Sequence, residues 1–143
     1  MSNALQVIDE LSNVVRPELR SAGGLALQEL DQGSTCPAFS LGAQGVRYLL
    51  LRPDSVLTAC GAKGCSGPTT KNDALFPYLK SGASGVTQCC DFIAFCAYKN
   101  ANESQSLFIV MIELKSGAVS GSRRQLENGR RVGDFLVGVV RDR

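Results

Sequence analysis

Residues 89–115 read CCDFIAFCAYKNANESQSLFIVMIELK. Two short apolar runs, FIAFCAY and SLFIVMI, are rich in β-branched and aromatic residues and too short for ordinary helices, so both are expected to be strands. The polar link KNANESQS between them carries Asn and Ser where a tight connection favours them, and the two strands are expected to be antiparallel neighbours. The second run ends on Glu113 and Lys115 with one leucine between them. Opposite charges at the end of a core strand call for a reason.

Working outward, VRYLLLR at 46–52, stopped by Pro53, reads as a first core strand. The opening segment ALQVIDELSNVV places Ala4, Ile8, Leu11 and Val15 on one helical stripe, with Ser2 or Asn3 as a cap. Pro17 either kinks this helix or opens a second helical stretch through PELRSAGGLALQEL, weakened in the middle by Gly23 and Gly24. DQGSTCPAFSLGAQG is loop by composition, and residues 59–84 form a long Gly-, Pro-, Thr- and Lys-rich excursion of the kind used for binding. In that excursion Lys63, Lys71 and Lys80 read either as grips on a phosphate backbone or as solvated loop lysines. After the break SGAVSGS, the segment RRQLENGRRVGDFLVGVV has apolar residues at Leu126, Val132, Phe135, Leu136 and Val139 and reads as a helix, despite three glycines. The order is helix, strand, long loop, strand, strand, helix: one α/β or α+β sandwich domain spanning 1–143.

Composition narrows the chemistry. The chain has 143 residues, 44% of them apolar, which suits one compact core. No run is long enough to cross a bilayer as a helix, and the N-terminus lacks the pattern of a signal peptide, so a cytoplasmic protein with no membrane partner is expected. There is no histidine, which excludes Ser-His-Asp and Cys-His catalysis and histidine metal sites. Any hydrolytic chemistry falls to carboxylates, lysines or thiols. The six cysteines are read as free thiols, Cys90 and Cys96 lying on a core strand; the rival is a zinc site on Cys60, Cys65 and the Cys89–Cys90 pair. The net charge of +2 is uneven, because from Lys115 onward seven basic residues face three acids. A polyanionic partner and a solvated helix face both account for that run.

Residues two apart on a strand share a face, about 6.6 Å from one another. Glu113 and Lys115 therefore sit side by side, while Asp91 occupies the neighbouring strand of the hairpin and is placed to face them. Two carboxylates and an ammonium suit phosphodiester hydrolysis: carboxylate oxygens hold a hard divalent cation such as Mg²⁺ or Mn²⁺, and the ammonium serves the attacking water. Leu114, pointing the other way, anchors the strand in the core.

Asp91, the apolar strand ending in Glu113-Leu114-Lys115, and Gln125 opening the next helix resemble the core of the PD-(D/E)xK nuclease superfamily, whose members include restriction endonucleases, Holliday-junction resolvases and phage-defence nucleases. The resemblance covers roughly residues 46 to 128. It implies a restriction-endonuclease-like sandwich: a helix, a three-stranded meander, a second helix and a final strand, for which few residues follow the second helix here. It gives Asp91, Glu113, Lys115 and Gln125 the catalytic roles, with Asp91 and Glu113 as metal ligands. Many members add an acid from the first helix, and Glu18 is the choice in this chain. The residue before Asp91 is Cys90, where the family motif has proline. The implied function is metal-dependent cleavage of nucleic acid, DNA before RNA, in defence, restriction or repair.

Two other readings use the same residues. In one the nuclease fold is kept as a catalytically inactive module acting through a partner protein. In the other the charges are a solvated strand end with a surface ion pair of about 0–1 kcal/mol. A short meander also leaves a sheet edge, for which a second copy or a partner chain is the expected cover.

Overall fold

The computed structural model describes residues 3–15, 17–21, 26–27, 39–40, 46–53, 89–100, 102–115 and 120–142. Within them the chain forms helix α1 (Ala4–Val14), a 3₁₀ turn (Pro17–Leu19), short strands β1 (Ala26–Leu27) and β2 (Phe39–Ser40), strands β3 (Val46–Leu51), β4 (Phe92–Lys99) and β5 (Gln105–Ile112), and helix α2 (Ser122–Arg141). The excursion at 59–84, with Lys63, Lys71, Lys80, Cys60 and Cys65, lies outside the described residues.

Strands β3, β4 and β5 make an antiparallel meander in that order, and β1 pairs with β2 separately. The hairpin read from the sequence is present, with Phe92 opposite Ile112 and Lys99 opposite Gln105. Its turn is closed by Asn100, whose side-chain oxygen accepts from the backbone N–H groups of Asn102 and Ser104, while Glu103 takes a left-handed φ of 63°. This local side-chain bonding makes Asn a turn residue.

Side-chain alternation on the strands separates two cores. Leu49, Leu51, Ile93, Phe95 and Ala97 pack with Ala4, Val7, Ile8, Leu11 and Val15 of the α1 segment and with Val132, Val137 and Val140 of α2. Both helices therefore cover the same face of the sheet. The opposite face holds Leu50, Phe92 and Ala94, packed with Leu27 and Leu114. Among the described residues the result is a mixed α/β arrangement of an open three-stranded antiparallel sheet, a separate β1–β2 pair and two helices.

Helix α1 begins in a capping box: Gln6 N–H donates to the Asn3 side chain, and the Gln6 side chain accepts from Asn3 N–H. At its other end the Arg20 guanidinium donates to Val15 O at 2.7 and 3.2 Å. Of the two expectations at Pro17, a kink or a second helical turn, a brief helical turn forms among the described residues. Pro17–Leu19 is a single 3₁₀ turn, the chain then bridges Arg20 to Leu51 along β3, and Ala26–Leu27 is strand. Backbone bonds from Ser21 to Leu50 and from Arg52 to Leu19 hold that passage, so a β3 edge wins over the weak helix propensity of a Gly-Gly sequence.

Helix α2 is present, and its buried face is built largely from small residues. Phe135 is 60% exposed and Val139 is also exposed, whereas Asn128, Gly129, Val132, Gly133, Val137 and Val140 are buried. Gly129 and Gly133 form the contact itself. A Cβ on Gly129 would stand 2.3 Å from Cys90 Sγ, and one on Gly133 would stand 2.8 Å from Ile109 Cγ2. The two glycines, four residues apart, let the helix backbone lie directly on β4 and β5.

Candidate active site

The strand β5 ladder stops at Ile112, so Glu113 and Lys115 follow the strand and are not part of it. The last pair is Phe92 with Ile112. One step further Asp91 stands opposite Glu113, and here side chains take over from backbone. Asp91 N–H donates to Glu113 Oε2 at 3.2 Å, and Leu114 N–H donates to Asp91 Oδ2 at 2.6 Å. Each carboxylate thus accepts a charge-assisted bond from the other strand where the ladder ends, satisfying backbone donors that would otherwise lack partners.

Glu113 is deeply placed, its side chain 3% exposed, and Lys115 Nζ lies 2.5 Å from its Oε1 with 30% of the lysine side chain exposed. That contact is an ion pair without hydrogen-bond alignment, so the buried Oε1 accepts no hydrogen bond. Leu114 between them is buried in the opposite core with Phe92 and Leu50. This is the side-by-side geometry expected of residues two apart, with the intervening leucine as the anchor.

Cys90, the residue before Asp91, is buried beneath α2. Its thiol donates to Phe92 O at 3.2 Å and faces Gly129. A hydrogen bond with the Cys89 thiol, reinforced by burial, holds the Cys90 thiol far above the ordinary range; burial alone pushes Cys96 up. Cys89, Cys90 and Cys96 are free thiols, and among the described residues no three acidic or thiol groups converge to hold a metal ion. The zinc alternative falls on Cys60 and Cys65, outside the described residues.

Gln125 lies in the first turn of α2 and is half-buried. A four-residue step on a helix advances about 6 Å and a two-residue step on a strand about 6.6 Å. Gly133 sits on Ile109, and Gly129 on Cys90 and Met111, so α2 runs antiparallel to β5 and its first turn, with Gln125, lies toward the strand end that leads to Glu113. Glu18 lies on the 3₁₀ turn, and its side chain is outside the described residues; the bond from Arg52 N–H to Leu19 O brings that turn to the end of β3. By the pairing of Leu51 with Ile93, this is the sheet end that carries Asp91 and Glu113.

Two features escaped the sequence reading. Arg52, one residue past β3, places its guanidinium 5.2 Å from the centre of the Phe92 ring, next to Asp91; its signal is a charge ending an apolar strand at the same sheet end. Beside Met111, two residues before Glu113, an open groove has Met111 and Leu126 at its floor and Arg123, Glu127, Arg130 and Arg131 around it. Three guanidinium groups there outnumber one carboxylate, although Arg123 is paired with Glu127 at 3.0 Å, Arg130 with Asp134 at 4.0 Å, and Arg131 donates to Asn128 Oδ1 at 3.3 Å.

The donor set is compatible with a hard divalent cation. Asp91 and Glu113 offer carboxylate oxygens side by side where the β4–β5 ladder ends, and the buried Glu113 Oε1 is matched by the Lys115 ammonium. No family model, curated protein or solved structure matches this chain.

Proposed function

We propose that the protein is a Mg²⁺- or Mn²⁺-dependent nuclease with a PD-(D/E)xK-type site, acting on nucleic acid, with DNA favoured over RNA by the resemblance. The observation carrying this reading is the convergence at one sheet end of Asp91 and Glu113, bonded across the hairpin, with Lys115 on Glu113. Asp91 and Glu113 would hold the cation, with Glu18 as a third acid from the adjoining turn. The bound cation would supply Lewis acidity, lowering the pKa of water and offsetting charge on the phosphoryl group. Lys115 orients the water and stabilises developing negative charge. Gln125, in the first turn of α2, would line the site from the helix. The arginine-bordered groove receives the phosphate backbone, and the two apolar side chains at its floor meet sugar or base.

One observation favours a second reading. Asp91 and Glu113 are already engaged with backbone N–H groups, so the same constellation serves as a clasp ending the hairpin in a binding or regulatory module that works through a partner protein. Incubation with linear, circular and single-stranded DNA, with and without Mg²⁺ or Mn²⁺, separates the two. The nuclease reading expects cleavage only with metal, abolished in Asp91→Asn and Glu113→Gln, and a metal-induced rise in melting temperature lost in both variants. Wild-type protein that cuts nothing and gains no stability from either metal would leave the clasp.

A further inference from the structure

We infer that Lys115 is a displaceable counter-ion on Glu113, so that a divalent cation binds this site by exchange with the ammonium group and frees it at the moment the site is loaded. This rests on the metal-binding reading above. Glu113 is 3% exposed, and a carboxylate so removed from water needs a compensating positive charge. Its two oxygens are used unequally. Oε2 is fixed by Asp91 N–H. Oε1 accepts no hydrogen bond and has the Lys115 ammonium 2.5 Å away, on a side chain that is 30% exposed. The oxygen best placed to meet a metal is the one the lysine covers.

A cation coordinated by Glu113 Oε1 and an ammonium 2.5 Å from the same oxygen would repel one another at close range in a poorly solvated pocket. Lys115 must therefore leave Oε1 when the metal arrives, and it is then positioned beside the reacting water. The exchange makes the lysine a positioning element in two states: it holds Glu113 in the empty protein and turns to the water in the loaded one. Two prior contacts keep the acids in place during the exchange. The bonds from Asp91 N–H and Leu114 N–H use Glu113 Oε2 and Asp91 Oδ2, not Oε1.

The test is calorimetric titration of Mn²⁺ into the full chain without nucleic acid, for wild type, Lys115→Met, Lys115→Arg and Glu113→Gln. Exchange predicts that Lys115→Met binds Mn²⁺ about tenfold more tightly than wild type, because no counter-ion must be expelled. It predicts the opposite for Lys115→Arg, weaker by about three- to tenfold, since a guanidinium grips a carboxylate through two donors and leaves it less readily. Glu113→Gln loses binding. A simple long-range effect of charge would leave Lys115→Arg equal to wild type, and that outcome overturns the exchange, as does equal affinity in Lys115→Met. If Lys115→Met fails to fold without metal, the direction seen for Lys115→Arg decides alone. Absence of Mn²⁺ binding in folded wild type and in every folded variant overturns the metal reading together with the exchange, whereas binding that ignores residue 115 overturns the exchange only.

Discussion

At the scale of the residue, Cys90 shows how a position next to a charged site is kept inert. Its thiol is buried, donates to Phe92 O and sits against Gly129, with its pKa raised above the ordinary 9.0 by Cys89 and by burial. The folded protein therefore keeps a proton on Cys90 at a pH where the unfolded chain releases it. The stability this contributes is fully present below the unfolded thiol pKa and is lost as pH rises above about 9. Urea midpoints of wild type and Cys90→Ala should differ most below pH 8, with the gap narrowing between about pH 9 and 11; a constant gap would deny the linkage. Thiol titration of native protein at neutral pH should leave Cys90 unmodified. The pairing of Glu113 with Lys115 was legible in the sequence because alternation along an extended chain fixes neighbours two apart. That Glu113 is almost wholly buried was not, since burial is set by whichever helix lies over the strand end.

At the scale of the element, α2 makes the same substitution do opposite things. Gly129→Ala puts a methyl 2.3 Å from Cys90 Sγ and 3.2 Å from Met111 Cγ, forcing helix and sheet apart; we expect a loss of about 1–3 kcal/mol, as for other overpacked contacts. Gly138 has nothing within 4 Å of its notional Cβ, so Gly138→Ala should add about 0.5–1 kcal/mol by favouring the helix. Denaturant unfolding of the two variants should show the difference in sign, and the double variant Gly129→Ala/Cys90→Gly should recover part of the Gly129→Ala loss. The helix was legible in the sequence, whereas this contact was not. Phe135 and Val139, among the apolar residues that mark the helix, are exposed, and a hydrophobicity pattern gives no weight to the glycines that make the contact. The spacing of Gly129 and Gly133 was the available signal. Such closeness should matter to the site as well, since the register that seats Gly129 on Cys90 also sets the height of Gln125; Gly129→Ala should lower any cleavage rate more than its effect on the folded population accounts for.

At the scale of the whole molecule, the meander order was legible because each strand meets its sequence neighbour, whereas the placement of both helices on one face depends on non-local packing that no local pattern encodes. The same topology leaves β5 paired on one side only among the described residues. Gln105–Ile112 contains no charge and no proline, the usual devices that keep an edge from pairing. On its outer face Phe108 is 53% and Val110 43% exposed. An uncharged strand can pair with its own copy antiparallel about a two-fold axis, bringing Phe108 and Val110 of the two copies together and satisfying both rows of backbone groups. We therefore expect sedimentation velocity to show dimer growing with protein concentration, and Val110→Lys to shift the protein to monomer, because two edge ammonium groups would be forced together. Val110 makes no buried contribution to either core, so the melting temperature of the monomeric variant should match that of dilute wild type. A wild-type protein that stays monomeric at high concentration would remove the second copy from this edge.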